Sequence, residues 1–166
     1  VAFHHGIAQC HLAIAADYHC QLIVNDYWQV AIAAGAHWLH LGQEDLAQAD
    51  RAAISAAGLK LGISTHSPAE LQTALAAQPD YIALGPIYET TLKQMPWSPQ
   101  GLERIGQWKA QCSCPLIAIG GITLERAPAV LAAGADAIAV VSDVLRAPDP
   151  DGRVRAWLDL FHATAR

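Results

Sequence analysis

A recurring phrase limits what this chain can fold into: Ala-Ala-Gly, or a close variant, followed within a few residues by a short apolar run that ends in small or polar residues. It reads AAGAHWLHLG at 33–42, AAGLKLGIS at 56–64 and AAGADAIAVVS at 132–142, with AAQPDYIALGP at 76–86 as a looser copy. Alanine-rich stretches favour helix, and a glycine just past a helix end accepts the left-handed conformation that stops it. Each phrase therefore reads as helix end, turn, strand. Two further apolar runs, Gln21 to Asn25 and Pro115 to Gly120, bring the expected strands to six. Short apolar strands alternating with helices imply right-handed βαβ crossovers and a parallel sheet buried on both faces. The near-uniform repeat favours a TIM-type (β/α) barrel over an open doubly wound sheet, which reverses strand order at one point. A helix over about residues 7 to 18 is expected ahead of the first strand.

The 166 residues contain no linker-like stretch, so one domain spanning 1–166 is expected, short for a complete eight-fold barrel of about 250 residues. Apolar residues make up 53% and charged residues 15%, which excludes disorder. The formal net charge of −5 and the lack of a Lys/Arg run argue against a nucleic-acid or anionic-membrane surface. No apolar stretch is long enough to span a bilayer, and the opening Val-Ala-Phe-His-His-Gly has no signal-peptide character, so the cytoplasm is the expected compartment. Cys10, Cys20, Cys112 and Cys114 lack zinc-ligand spacing and read as reduced structural thiols.

Parallel α/β folds hold ligands at the carboxyl ends of their strands, so the residues after each apolar run are the candidates. Asp26 and Asp45 follow neighbouring strands and can share a hard cation such as Mg²⁺. Both can equally cap the helices that follow, the commoner use of Asp at a strand-to-helix turn. Gly120 and Gly121 allow backbone N–H groups close to an anion, and Ser142 offers a hydroxyl at the next tip; successive last tips are where barrels of this kind bind phosphate. Thr90 and Lys93 sit on a long loop bounded by proline, where a lysine can face a diphosphate. His66 is a candidate general base without a paired partner in sequence, and Trp28 and Trp97 are candidate pocket walls.

Taken in order, Asn-Asp-Tyr-Trp, His-Leu-Gly-Gln-Glu-Asp-Leu, Gly-Ile-Ser-Thr-His-Ser, Ala-Leu-Gly-Pro-Ile-Tyr, Met-Pro-Trp-Ser-Pro-Gln-Gly-Leu, Ala-Ile-Gly-Gly-Ile and Ala-Val-Val-Ser resemble the thiamine phosphate synthase family across nearly the whole chain. The resemblance implies a TIM barrel transferase that joins hydroxymethylpyrimidine diphosphate to a thiazole phosphate with Mg²⁺ and releases diphosphate. It implies Mg²⁺ on Asp26 and Asp45, the pyrimidine diphosphate against Asn25, Ser64 and Lys93, and the thiazole phosphate against Thr90, Thr91, Gly121, Val141 and Ser142. Lys93 and Ser64 are the groups it implies in catalysis. Nothing in that chemistry needs a side-chain nucleophile.

The chain departs from the family pattern at Leu92, which replaces a phosphate-binding hydroxyl, and at Glu89, where proline is usual. The family's first two strands, with a Gln-Leu-Arg-x-Lys segment, have no counterpart in the sequence. The expectation is a six-stranded barrel with bare edges that invite association, including with a second copy, and weak turnover by these residues alone. Two alternatives to the synthase remain: a thiazole tautomerase-like isomerase using His66, and a non-catalytic binder of phosphorylated ligands.

Overall fold

The computed structural model describes residues 2–90 and 96–164. The chain forms two compact units, Val1–Ile82 and Ala83–Arg166. In the first, α1 (Ala2–Asp17) precedes β1 (Val24–Asn25), α2 (Trp28–Ala34), β2 (Trp38–Leu41), α3 (Gln43–Gln48), α4 (Arg51–Ala56), β3 (Lys60–Thr65) and α5 (Pro68–Ala76). The division falls inside β4 (Tyr81–Leu84). The second unit continues with α6 (Gly101–Lys109), β5 (Leu116–Ile119), α7 (Ala127–Ala132), β6 (Ala137–Ala139), α8 (Ser142–Leu145) and α9 (Pro150–Thr164). The described residues thus contain the six expected strands, and no helix among them is long and apolar enough to cross a membrane.

The repeated phrase behaves as its chemistry requires. Gly35 closes α2 in the left-handed region at φ 69°, its N–H bonded to the Ile32 carbonyl, and Gly58 does the same after α4. The looser copy has no glycine, and Gln78 takes the left-handed conformation instead, at φ 54°. A side chain there costs roughly 1 kcal/mol or more.

Strand register is set by one device used once in each unit. Asp80 donates its backbone N–H to the Leu61 carbonyl at 2.7 Å and accepts the Leu61 N–H on its carboxylate at 2.8 Å. Asp136 repeats the pair with Leu116, at 2.9 and 2.7 Å, and its carboxylate also receives Lys109 Nζ. An aspartate ahead of a strand thus clamps a residue at the start of an earlier strand, the second of β3 and the first of β5.

Within the first unit β1, β2 and β3 run parallel, Val24 opposite Leu39 and His40 opposite Gly62. Leu39, Leu41, Ile63 and Thr65 are wholly buried on one face, whereas His40 and Ser64 lie half-buried on the other. The sheet is therefore not apolar on both faces as its composition suggested: alternation survives, and the second face carries polar side chains. In the second unit Ile105, Trp108, Leu116, Ala118, Ala127 and Val130 form the buried core.

Two strands are shorter than their apolar runs. The first was expected from Gln21 but pairs only from Val24, whose partner is Leu39. The last was expected to reach Ser142 but ends at Ala139; Val141, at φ −128° and ψ −68°, has left the extended region and caps α8.

The Asp136 clamp has a pH signature. Burial opposes ionisation of this carboxyl, but the Lys109 and Leu116 hydrogen bonds outweigh it and hold the group below the usual carboxylate range. A depressed folded-state pKa gives stability that is present above the unfolded value of about 3.9 and is lost as pH falls through the folded value. Because the Asp136 carboxylate is exposed and screened by water, Asp136→Asn should lower unfolding stability by only about 0.5–1 kcal/mol near neutral pH and remove this acid-sensitive component. Denaturant titrations at pH 7 and pH 3 check it, and equal stabilities for the two proteins at pH 7 would show that the clamp is idle.

Candidate functional site

In the first unit the expected residues gather at the carboxyl ends of β1, β2 and β3. Asn25 closes β1, and its Nδ2 donates to Asp26 Oδ2 at 2.5 Å. Asp26 adopts φ 65°, a left-handed conformation that aspartate tolerates better than most residues, while its N–H bonds the His40 carbonyl at 2.9 Å. It does not cap α2, whose N-cap is Tyr27. Asp45 lies in the first turn of α3, whose N-cap is Gly42, and its Oδ2 leans back to 3.5 Å from where a Gly42 Cβ would stand. Neither aspartate is the N-cap that the commoner reading of such residues would make it. A strained backbone at a strand tip is the kind of feature that functional sites retain.

The donor set suits a hard cation. One carboxylate follows β1 directly and the other lies in the first turn of the helix after β2. Carboxylates are the donors that a hard cation such as Mg²⁺ takes alongside water and phosphate oxygens.

Ser64 on β3 is held by a network that the strand-tip argument did not anticipate. Its Oγ lies 2.7 Å from His40 Nε2, and His40 Nδ1 lies 2.8 Å from Tyr81 Oη. The Ser64 carbonyl accepts Gln43 Nε2 at 2.7 Å. Tyr81 stacks on His40 with ring centroids 5.5 Å apart and occupies the space where a Cβ at position 62 would stand, so glycine there makes room for the phenol. Burial lowers the pKa of His40 and pushes the Tyr81 phenol up to about 12. The sequence carries a trace of this group, a polar His inside an apolar strand opposite a glycine, but only the register connects the two.

His66 stands at the start of α5 and is engaged there. Glu70 Oε2 accepts both the His66 backbone N–H at 2.7 Å and Nδ1 at 2.8 Å, while Ser67 caps the helix. A carboxylate therefore orients this ring as part of a helix start. Trp28 is half-buried in the first turn of α2, and Trp97 is 38% exposed.

In the second unit the tips of β4, β5 and β6 carry the other candidates. Gly120 and Gly121 have φ 98° and 65°. A Cβ on Gly121 would collide with the carbonyl oxygens of Tyr88 and Glu89, so glycine is needed there for backbone approach to the chain just before Thr90. Tyr88 N–H bonds the Gly120 carbonyl at 3.0 Å; Arg126 donates to the Gly121 carbonyl at 2.6 Å and lies 4.5 Å from the Tyr88 ring centroid.

Val141 and Ser142 open α8, and Asp143 fixes that turn. Arg153 Nε and Nη2 donate to its two oxygens at 2.9 and 2.8 Å, and Trp157 Nε1 donates at 2.8 Å. The Arg153 bonds hold the Asp143 carboxyl below its ordinary pKa. Ser142, Asp143, Arg146, Gly152 and Arg153 line one concavity. Asp143 and Arg153 were not singled out from sequence, since ten residues and a turn separate them. Lys93, Thr91 and Leu92 lie outside the described residues; Glu89 is exposed.

A family model described as thiamine monophosphate synthase matches residues 6–144. A thiamine-phosphate synthase of Rhizobium etli is 62% identical over 84% of this chain and 69% of its own length. One from Neisseria meningitidis is 51% identical over 93% of this chain and 76% of its own. Among solved structures, a thiamine phosphate pyrophosphorylase from Pyrococcus furiosus superposes with a TM-score of 0.85 at 28% identity, covering 98% of this chain and 77% of that one. The α/β fold with six parallel strands and the ordered strand-tip residues have the same explanation: the chain belongs to the thiamine monophosphate synthase family.

Proposed function

We propose that this chain is a thiamine-phosphate synthase, a cytoplasmic transferase that couples hydroxymethylpyrimidine diphosphate with hydroxyethylthiazole phosphate to give thiamine phosphate and diphosphate. The observation that carries the reading is the pair of carboxylates, Asp26 directly after β1 and Asp45 in the first turn of the helix that follows β2, neither serving as a helix N-cap. An isomerase has no use for two such carboxylates, and a diphosphate substrate with a divalent cation does.

Asp26 and Asp45 would hold Mg²⁺, which when bound offsets the charge that grows on the departing diphosphate. Asn25, Ser64 and Lys93 bind the pyrimidine diphosphate, and the Lys93 ammonium stabilises the leaving group as its bond to carbon breaks. Thr90, Thr91, Gly121, Val141 and Ser142 hold the thiazole phosphate and orient its ring nitrogen for attack, so the gain is positional and electrostatic. Asp143, pinned by Arg153 and Trp157, keeps the Val141–Ser142 turn in one shape.

Incubation with both substrates and Mg²⁺ tests the reading: thiamine phosphate should form, and tautomerisation of a thiazole substrate without coupling would replace this assignment by the isomerase. Asp26→Asn preserves side-chain size and tolerance of positive φ but removes the charge. It should weaken Mg²⁺-dependent binding of the pyrimidine diphosphate by about tenfold or more while leaving the circular dichroism spectrum unchanged. Calorimetry with and without Mg²⁺ reads this, and unchanged affinity would free both aspartates of the metal role. Ser142→Ala should lower affinity for the thiazole phosphate about five- to tenfold, equally with Mg²⁺ present or chelated, because hydroxyl and backbone donors need no cation. A loss seen only with Mg²⁺ would contradict it. Gly121→Val is a poor probe of the same site, since its side chain would displace the Tyr88–Glu89 backbone whether or not phosphate binds.

A further inference from the structure

We propose that His40 and Tyr81 are positioning residues that lock the Ser64 hydroxyl as a hydrogen-bond donor toward the bound pyrimidine diphosphate. The inference rests on the reading that Ser64 contacts that substrate.

The argument is one of proton placement. His40 bridges two hydroxyls, with Nδ1 2.8 Å from Tyr81 Oη and Nε2 2.7 Å from Ser64 Oγ. A neutral imidazole has one N–H and one acceptor nitrogen, so one hydroxyl donates to the ring and the other accepts from it. A phenol is the stronger acid and the better donor. Tyr81 therefore donates to Nδ1, the ring proton sits on Nε2, and Ser64 Oγ accepts it. A doubly protonated ring would also donate from Nε2, so Ser64 is an acceptor from His40 in either charge state. Its own O–H must then point away from the ring. With its hydroxyl oriented in advance, Ser64 meets an acceptor atom of the substrate without first breaking a bond to His40.

The surrounding structure is shaped for this chain of bonds. Gly62, directly across from His40 in the β2–β3 ladder, leaves the space that the Tyr81 ring fills. Trp38 backs the phenol with ring centroids 5.8 Å apart. Asp80, the residue before Tyr81, is clamped to Leu61, the residue before Gly62. The phenol is thereby fixed along the strand as well as across it.

Removing the Tyr81 hydroxyl lets the imidazole carry its proton on Nδ1, whereupon Ser64 turns its O–H onto Nε2 and is lost as a donor to substrate. Tyr81→Phe keeps the ring and its packing, and should raise the dissociation constant for hydroxymethylpyrimidine diphosphate about tenfold while leaving that for the thiazole phosphate unchanged. Ser64→Ala should have an effect of similar size. The double variant Tyr81→Phe/Ser64→Ala should be no weaker than Ser64→Ala alone, because the phenol acts through the hydroxyl. Nitrogen-15 spectra of the histidine-labelled protein should show the Nε2–H form of His40 in the parent and a shift toward Nδ1–H in Tyr81→Phe. Additive losses in the double variant, or an Nδ1–H ring in the parent, would overturn the relay while leaving Ser64 as a substrate contact. Wild-type affinity in Ser64→Ala would remove that contact, and the reading beneath the proposal with it.

Discussion

Register is the constraint on which everything else in the first unit depends. Side chains alternate along a strand, so a slip of one residue would carry His40, Gly62 and Ser64 to the apolar side and bring Leu39, Leu41 and Ile63 to the polar one. Hydrophobic burial alone resists that slip only if enough apolar area is at stake, and strands this short offer little. The two-bond clamp from Asp80 to Leu61 adds a local, directional term, and Asp136 does the same for Leu116 in the second unit. A single aspartate ahead of a strand thus connects the repeat in the sequence to the orientation of every side chain that follows it.

A glycine at position 62 contributes nothing to burial of its own and weakens strand propensity. Its value is spatial. The vacancy above it admits a phenol, the phenol reaches an imidazole, and the imidazole reaches a serine at the end of the same strand that carries the glycine. Four residues on three strands are connected through one missing side chain, and each is ordered by packing or hydrogen bonding before any ligand arrives. Gly121 illustrates a different use of the residue, in which both positive φ and close approach to another stretch of backbone exclude a side chain.

The strand tips were legible because apolar runs ending in Asn, Asp, Ser or Gly mark the carboxyl ends of parallel strands without any knowledge of tertiary contacts. Helix, turn and strand were legible for a similar reason: glycine and alanine state their preferences locally. His40, Tyr81 and Gly62 were not, since the partners lie 24 and 41 residues apart and only the register joins them. The Asp143–Arg153–Trp157 group escaped notice because its members sit on two helices separated by a turn. Apolarity also overstated the length of β1 and β6, because it does not report which residues a neighbouring strand pairs or where the backbone leaves the extended region at Val141.

Charge decides how each unit can receive an anion. At the tips of β1 and β2 the protein offers Asp26 and Asp45, which repel a diphosphate unless a cation stands between them. The second unit solves the problem differently. Arg153 is already committed to Asp143 and Glu125, and Arg126 lies over the Tyr88 ring with one N–H on the Gly121 carbonyl. Arg126 and Arg153 thus shape the turns, and backbone N–H groups and hydroxyls are further donors at these tips. A dianionic monophosphate is within reach of such neutral donors, as helix N-terminal and glycine-turn sites commonly show. A diphosphate carries more charge in less room and calls for metal. The carboxylates of the first unit and the glycine turns of the second therefore suit anions in different ways, the former only with a cation beside them and the latter through backbone approach.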